Sequence, residues 1–524
     1  MRSSRVTATA LAVLAAGLLS SSAMARHFTP LPSHHGIPAG TKATYHAPKS
    51  ARSGTWTPLA HGFPGVNFPD TALVMTDGTV LMHDGCGANW YKLTPTNTGD
   101  YVNGTWSSIQ KMPNSYQPLY FASQILPDGR LIVNGGEYQA CNFSWTTQGA
   151  LYDPTTNTWT DVPPPTGWNS IGDAQSVVRK DGSYMLADAL TTKQAIATIT
   201  GTTVTWATTG TGKADRNDEE GWTQLPDNSI ITVDANRDLG GNANDVEFYS
   251  EATGQWTTSS EKTPVAVVDA GSHELGPAPL LPNGLMLQIG ATPHNAVYDS
   301  STGHWTAAPD TPPDETGDLQ SVDGPAVVLP NGNVLEQVSV GVFPDPGGPS
   351  HFFEVKVRDA SHVNFTQVDE PDSAPIQSSY EGRLVMLPTG QALWSSDVGD
   401  VQVYTPQGKP VKKSIPKIKH VKKTLNVGSS NNKLTGHGFH GLTYGGYYGD
   451  DAQMATNFPL VRITNNSSHH VCFARTHAFS QMGIDDGTVT SAQFDIPNSC
   501  ETGASTLQVV VNGVSSKAKD VTLN

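Results

Sequence analysis

The sequence predicts an all-β fold, in which a seven-bladed β-propeller is followed by a small immunoglobulin-like β-sandwich. Three observations support this prediction: a hairpin unit recurs seven times, tyrosine and tryptophan recur at a fixed spacing, and the composition favours strands and turns. The 524 residues include 51 glycines and only 15% charged residues. Few segments have the period of an amphipathic helix.

Each repeated unit consists of an apolar run, a tight turn and a second apolar run. Asp-Gly or Asn-Gly at the turn favours a hairpin, because both turn residues can adopt positive φ. The turns recur about every 50 residues, which is the period of a kelch blade. Seven units therefore predict a seven-bladed kelch propeller. The units lie at 72–85, 123–136, 176–189, 223–235, 279–290, 327–339 and 385–396.

Several units continue into an outer hairpin in which a tyrosine precedes a tryptophan by seven residues. The pairs are Tyr152–Trp159, Tyr249–Trp256 and Tyr298–Trp305. The last unit has Tyr404 but no tryptophan after it, whereas the segment 54–57 near the start of the chain carries Trp56. We predict that this segment completes the last blade and closes the ring, which removes an open sheet edge.

The first 25 residues have the features of a secretory signal peptide. Arg2 and Arg5 precede a short apolar run at 8–19, and Ala23-Met24-Ala25 resembles a cleavage site. We therefore expect a secreted protein, extracellular or periplasmic, with an N-terminal extension at 26–53 and the propeller at 54–408. No later apolar stretch is long enough to span a membrane.

Residues 409–423 contain seven lysines and two prolines. They are either a solvated linker or a docking patch for an acidic surface. From 424 to 524 short strands alternate again, and about 100 residues of this pattern suggest an immunoglobulin-like sandwich. The net charge of −16 argues against a nucleic-acid partner, and we expect a monomer.

An even number of cysteines in an exported protein favours disulfides. The four cysteines allow three pairings. Cys472 and Cys500 both lie in the C-terminal segment, so we predict that they pair and that Cys86 pairs with Cys141.

The residues just before each inner strand should line the mouth of the propeller channel. Six of the seven blades offer an acid there. Such crowded carboxylates could bind a hard metal such as calcium or a polar or cationic small molecule; alternatively they cap loop amides beside a water-filled channel. The candidate residues are Asp70, Tyr120, Asp173, Asp218, Glu219, Glu274, Asp323, Tyr380 and Glu381.

Three segments, SYQPLYFASQILPDGRLIVNGG, SSYEGRLVMLPTG and ARTHAFSQMG, give the chain a resemblance to the galactose oxidase/glyoxal oxidase superfamily of radical copper oxidases. This family has a kelch propeller followed by an E-set domain. The resemblance implies one copper ion held by two tyrosines and two histidines, a tyrosine–cysteine cross-link with an aromatic residue stacked over it, and oxidation of an alcohol or aldehyde with reduction of oxygen to peroxide.

The family's site maps onto this chain only in part. Tyr120 matches the cross-linked tyrosine and Tyr380 the second tyrosine, while His477 matches the final histidine, on a loop that enters the channel. Glu381 replaces the other histidine, and Pro69 stands where the cysteine is expected.

These matches leave alternatives for the chemistry of the site. The stacking position is Tyr138 instead of tryptophan. Tyr120, Tyr380, Glu381 and His477 could still form an oxygen-rich set for copper or another divalent metal, with Tyr120 and Tyr380 as catalytic groups. Cys86 forms either the disulfide or a displaced thioether with Tyr120.

Two further segments have weaker signals. His469 and His470 next to Cys472 could suggest a metal site or are solvated residues at a strand end. The loop GLTYGGYYGDDAQMATNFPLVRI combines tyrosines with Asp450 and Asp451, which suits sugar recognition; the alternative is sandwich core with a capped turn.

Three functional hypotheses follow. The first is a secreted propeller that binds a carbohydrate or another small polar ligand at the channel mouth without radical-copper chemistry, with Tyr138, Asp70, Asp173, Glu219, Glu274 and Asp323 as ligand-binding residues. The second is a divergent metal-dependent oxidoreductase. The third is an adhesive or structural protein of the cell surface.

Overall fold

The computed structural model describes residues 54–236, 243–343, 348–449 and 454–524. The predicted signal peptide and the predicted extension 26–53 lie outside these residues, as do Asp450 and Asp451. Almost all regular structure is β, with three short 3₁₀ helices at Ala374–Ile376, Ser379–Glu381 and Lys412–Ser414. None of the helices in the described ranges is long and apolar enough to cross a membrane.

Within the described ranges, seven antiparallel sheets form the blades, which confirms the predicted propeller. Blade 1 has strands Pro69–Val74, Val80–Asp84, Trp90–Thr94 and Thr105–Ser108. Blade 2 has Ala122–Ile125, Leu131–Asn134, Gly149–Asp153 and Thr158–Asp161. Blade 3 has Ser176–Val178, Tyr184–Ala187, Gln194–Thr200 and Thr203–Thr209. Blade 4 has Thr223–Gln224, Ile230–Val233, Val246–Ser250 and Gln255–Thr258.

The remaining blades vary more. Blade 5 has Leu285–Gln288, Ala296–Asp299 and His304–Ala307, with its inner strand reduced to a bridge between Leu280 and Met286. Blade 6 has Leu319–Gln320, Ala326–Val328, Val334–Val340, Ser350–Asp359 and His362–Gln367. Blade 7 has Gly382–Met386, Ala392–Ser396, Val401–Thr405 and, as its outer strand, Thr55–Pro58.

The outer strand of blade 7 confirms the predicted ring closure. Trp56 lies opposite Tyr404 in the register, just as Tyr152 lies opposite Trp159 in blade 2. The seven-residue spacing thus places the two rings on directly opposed positions of an antiparallel pair, where side chains pack closely. The ring centroids are 4.9 Å apart for Trp56 and Tyr404.

The C-terminal segment forms a β-sandwich whose two sheets enclose a separate core. Its strands are Lys417–Val421, Thr424–Leu425, Asn432–His437, Leu460–Asn465, Val471–His477, Thr490–Asp495, Gly503–Val511, Val514–Ser515 and Lys519–Leu523. The strand Val471–His477 pairs with one sheet through its first half and with the other through its second half. Leu434 and Phe494 of one sheet pack in the same core as Val461 and Leu507 of the other.

The predicted linker 409–423 is only partly a linker. Lys417–Val421 is a strand paired with Asn432–His437, because Ile418 alternates with exposed lysines and is buried in the sandwich core. Both predicted disulfides are confirmed, Cys86–Cys141 between blades 1 and 2 and Cys472–Cys500 in the sandwich.

Candidate functional site

The candidate site lies where the inner strands begin, at the end of the channel opposite the hairpin turns. Tyr120, Glu219 and Asp323 hold the same place in three blades, nine residues before the turn residue of each hairpin. Their φ angles are 52°, 61° and 44°, a region that L-residues rarely occupy. Such strain persists only where the surroundings enforce it, and it concentrates at functional sites.

Three carboxylates from adjacent blades form a cluster that we call the acidic triad: Glu219, Glu274 and Asp323. Their oxygen atoms lie within 4.8 Å of one another. Burial, together with the charges of its carboxylate neighbours, raises the pKa of Glu219 and of Glu274 well above the usual value. Burial also raises the pKa of Asp323 to about 6. The triad therefore favours either bound protons or a bound cation.

Arg383 places a positive charge at the mouth. It lies on the inner strand of blade 7, where it forms an ion pair of 2.9 Å with Asp70. Its guanidinium carbon is 4.0 Å from the ring centroid of Tyr448 and 5.4 Å from that of Tyr120. These contacts fix a positive charge between two aromatic rings.

Asp70 was predicted to bind a ligand, but the structure gives it a different place. Its side chain is fully buried and also contacts Nδ1 of His83 at 3.3 Å. Although burial raises it, the charge of Arg383 and the hydrogen bond with His83 hold the pKa of Asp70 below its usual value. Asp70 is thus an ionised partner that positions Arg383.

Tyrosines form the walls of the mouth. The rings of Tyr120 and Tyr138 meet edge to face with centroids 6.1 Å apart. The phenol oxygen of Tyr120 is buried and has no hydrogen-bond partner among the described residues. Tyr380 packs against Phe343 at 5.2 Å, and Tyr448 donates a hydrogen bond of 2.7 Å to the carbonyl oxygen of Tyr380.

Acidic residues extend around the mouth beyond the triad. The carboxylate of Glu381 accepts a hydrogen bond of 2.6 Å from the backbone N–H of Ser378. Burial, followed by the charge of Glu381, raises the pKa of Asp397 well above its usual value. Asp173 is buried. Burial raises the pKa of Tyr138 well above its usual value, and the nearby charges of Glu137 and Asp173 raise it further.

The predictions missed several of these residues. Asp397 follows the second strand of its blade, as Cys86 and Tyr138 do in theirs. This shared position could have predicted that Asp397 lies at the mouth. Arg383 was visible as a charge inside an otherwise apolar strand.

A loop of the C-terminal segment enters the channel. Gly446–Tyr447 adds to the inner strand Ala326–Val328 of blade 6, and the hydroxyl of Tyr444 donates to Gln224 of blade 4 at 3.3 Å. Tyr448 follows directly and reaches Arg383. Of the two interpretations of this loop, sandwich core is wrong for Tyr444–Tyr448, because these residues leave the sandwich.

His477 lies at the other end of the propeller, so its predicted place in a metal site is wrong. Its Nε2 contacts Asp495 of the sandwich at 3.1 Å. The neighbouring Thr476 donates to the carbonyl oxygen of Thr76, in the hairpin turn that follows Pro69–Val74. A six-residue strand spans about 20 Å, and this length separates the turn from Asp70 and Arg383. The segment that enters the channel is Tyr444–Tyr448 instead.

These residues do not fit a radical copper centre. Such a centre needs imidazole nitrogens as well as phenol oxygens. At the positions that the resemblance assigns to the metal ligands, Tyr120 and Tyr380 keep their phenols. Glu381 has a carboxylate instead of an imidazole, and His477 lies at the other end of the propeller. The guanidinium of Arg383 already supplies a positive charge beside Tyr120. Cys86 is bonded to Cys141, so the alternative thioether with Tyr120 is wrong.

A second carboxylate cluster lies in blade 4 and contains its own cation. Asp215, Glu220 and Asp234 bring oxygen atoms within 4.8 Å of one another. The ammonium of Lys213 contacts all three and also Glu247 at 2.6 Å. The ammonium occupies the position in which a metal ion would bind.

Comparison with known proteins supports the fold. No protein-family model matches the chain. It is 24% identical over 258 residues to the kelch-like protein terF of Aspergillus terreus, which covers 45% of this chain and 53% of that protein. It is 25% identical over 105 residues to an F-box/kelch-repeat protein of Arabidopsis thaliana, or 20% of this chain and 29% of that protein. The chain thus spans about half or less of these curated relatives.

Among solved structures, the chain is similar to a fungal alcohol oxidase of the AA5 family in complex with copper. The TM-score is 0.51 at 14% identity, over 90% of this chain and 100% of that one. The predicted resemblance is therefore confirmed at the level of the fold. This chain has a kelch β-propeller fold, which it shares over most of its length with a copper-binding alcohol oxidase of the AA5 family.

Proposed function

We propose that this protein binds a carbohydrate carrying amino groups at the mouth of its propeller, without radical-copper chemistry. The observation that carries the proposal is the acidic triad of Glu219, Glu274 and Asp323, set between tyrosine walls. Aromatic rings stack on sugar faces, and carboxylates accept hydrogen bonds from hydroxyl and ammonium groups.

The charge of the mouth favours a cationic ligand over a neutral one. The triad is extended by Asp173, Glu381 and Asp397, while Arg383 is already paired with Asp70. Carboxylates brought together away from water require protons or a counter-charge. Asp323 is only half-buried, so a ligand ammonium at the mouth could reach the triad through this residue.

The location we propose is outside the cytoplasm. The disulfides Cys86–Cys141 and Cys472–Cys500 support it, because such bonds persist in oxidising compartments. The signal-peptide pattern of residues 1–25 supports it independently.

Calorimetric titration tests the proposal with three tetramers whose sugars are all joined by β-1,4 linkages. Glucosamine, N-acetylglucosamine and glucose tetramers differ only in the group at carbon 2 of each sugar. We expect the glucosamine tetramer to bind best, and Asp323→Asn to weaken it by about tenfold or more, the scale of losing one charge-assisted hydrogen bond.

Asp181→Asn is the matched control, since this acid lies on an exposed hairpin turn at the other end of the channel. It should leave the affinity unchanged. Equal binding of the three tetramers, or none, contradicts the proposal. Stoichiometric copper in the purified protein, together with peroxide formation from alcohols, contradicts the proposed absence of radical-copper chemistry.

A further inference from the structure

A row of aromatic rings leads from the mouth to the surface. Tyr120 lies inside the mouth and is followed by Tyr138, Phe143 and Trp145. Successive ring centroids are 6.1, 5.9 and 5.4 Å apart. Phe143 is 37% exposed and, within the described ranges, is the one aromatic residue among the exposed large apolar side chains.

The loop that carries this row is held on three sides. Asn142–Phe143 pairs with Tyr138–Gln139, which pairs in turn with Pro118–Leu119. Cys141 bonds to Cys86 of blade 1. The ring of Trp145 lies so close to Gly172 of blade 3 that a Cβ there would be 2.3 Å from it. Phe143 is therefore exposed on a rigid platform, so binding to it costs little ordering of the loop.

The backbone of the loop is also strained. Ala140, Cys141 and Trp145 have φ angles of 51°, 57° and 47°, a left-handed conformation that is costly for residues with a Cβ. Because the strain is maintained by a disulfide and a small sheet, the loop presents its side chains in one arrangement. Strain of this kind is typical of binding and catalytic sites.

The surface of the loop is uncharged. Residues 138–149 contain no Asp, Glu, Lys or Arg, and Asn142 and Ser144 lie exposed beside Phe143. An exposed ring flanked by amide and hydroxyl groups suits a neutral polyhydroxylated ligand. The acidic mouth, by contrast, suits the charged group of such a ligand.

We propose that Phe143 and Trp145 form an outer platform for the second and following units of an oligosaccharide whose end unit occupies the mouth. This inference rests on the proposed function and extends it from a single sugar to a chain. Tyr138 is 5% exposed and packs between Tyr120 and Phe143, so a single buried ring separates the mouth from the exposed ring. This short separation argues for one occupant that spans both places. A protein partner docking on Phe143 alone is the competing occupant.

Calorimetry on the full chain tests the platform with glucosamine and its β-1,4-linked dimer, tetramer and hexamer. The affinity should rise from monomer to tetramer. Phe143→Ala should remove about tenfold of the tetramer affinity and leave the monomer affinity unchanged, since only the chain reaches the platform. Phe143→Tyr should preserve the tetramer affinity, because it keeps an aromatic ring.

Val489→Ala is the matched control, as this exposed apolar residue lies on the sandwich. It should change neither affinity. Equal affinity for all lengths, or a tetramer affinity unaffected by Phe143→Ala, contradicts the proposed platform but not the proposed binding at the mouth. The protein partner would then be the occupant of Phe143. Absence of binding for every length overturns the mouth and the platform together.

Discussion

Lys213 shows how single residues hold charge inside this protein. Its ammonium is fully buried among four carboxylates, of which Glu247 lies at 2.6 Å and Glu220 at 3.0 Å. Burial lowers the pKa of Lys213, but the surrounding acids raise it well above its usual value, so the ammonium stays charged. Burial also raises the pKa of Asp234 to about 8, although the charge of Lys213 lowers it.

Removing this cation should be costly. Lys213→Met leaves the carboxylates without their counter-charge, and we expect a loss of about 3–5 kcal/mol in the free energy of unfolding, measured in urea. Lys180→Met is the control, because Lys180 is 40% exposed where it pairs with Asp486, and exposed pairs contribute about 1 kcal/mol or less. Similar small losses for both variants would argue against a structural role for the buried cluster.

Glu336 should make stability depend on pH. It is fully buried, its oxygens have no hydrogen-bond partner among the described residues, and burial raises its pKa to about 8 from 4.5. The folded protein keeps this proton after the unfolded chain has lost it. The resulting stability is complete below about pH 4.5 and falls by about 1.4 kcal/mol per pH unit as the pH rises towards 8.

The isosteric variant Glu336→Gln isolates this contribution. Urea unfolding between pH 5 and pH 8 should show a smaller loss of stability with rising pH in the variant than in the natural protein. Parallel pH profiles for the two proteins would mean that Glu336 is ionised in the fold.

The outer strand Thr55–Pro58 determines whether the ring is closed. Trp56 packs at 5.1 Å from Phe352 and donates a hydrogen bond of 2.6 Å to the carbonyl oxygen of Asp369. This strand comes from the start of the chain and completes the blade formed at the end of the propeller. Its loss therefore opens the ring at the blade 7 edge, whereas the loss of any other outer strand leaves the ring closed.

Trp56→Ala should destabilise the protein by about 3–5 kcal/mol, as large-to-small substitutions of packed aromatic residues do. Trp106→Ala is the comparison, since Trp106 lies on the outer strand of blade 1 and its partners, the carbonyl of His61 and the ring of Phe63, do not belong to blade 7. We expect Trp56→Ala, and not Trp106→Ala, to expose blade 7 to limited proteolysis. Equal cleavage of the two variants would contradict a closing role for Trp56.

The elements were predictable from sequence because their signals are local. Asn-Gly and Asp-Gly turns define the inner hairpins, and the tyrosine–tryptophan spacing defines the outer ones. The segment Tyr444–Tyr448 in the channel was not predictable in the same way. The local match at ARTHAF gives no information on which segment passes through the ring. The carboxylates of the triad were predicted because each lies nine or ten residues before the turn of its inner hairpin. Arg383 and Asp397 lie at other positions of their blade.

The C-terminal segment contributes a residue to a site on the far side of the propeller. Tyr444 and Tyr447 fill the channel, and Tyr448 emerges beside Tyr380 and Arg383. The two parts of the chain thus build the mouth together.

Two hydroxyl deletions separate binding from packing in this loop. Tyr448→Phe removes the hydrogen bond that fixes Tyr448 to the carbonyl of Tyr380 at the mouth. Because the proposed ligand occupies the mouth, this variant should bind the glucosamine tetramer about fivefold more weakly, the scale of one hydrogen bond of about 1 kcal/mol. Tyr444→Phe removes the bond to Gln224 inside the channel and should lower stability by a similar amount without changing affinity. Equal affinity loss in both variants would show that the loop acts only through packing.

The most direct measurement is a crystal structure of the full chain grown with both glucosamine tetramer and copper(II). We predict density for the sugar in the mouth, with an ammonium within hydrogen-bond distance of Asp323, and no metal ion at Tyr120. A copper ion coordinated by Tyr120 and Tyr380, with the mouth free of sugar, would contradict the account.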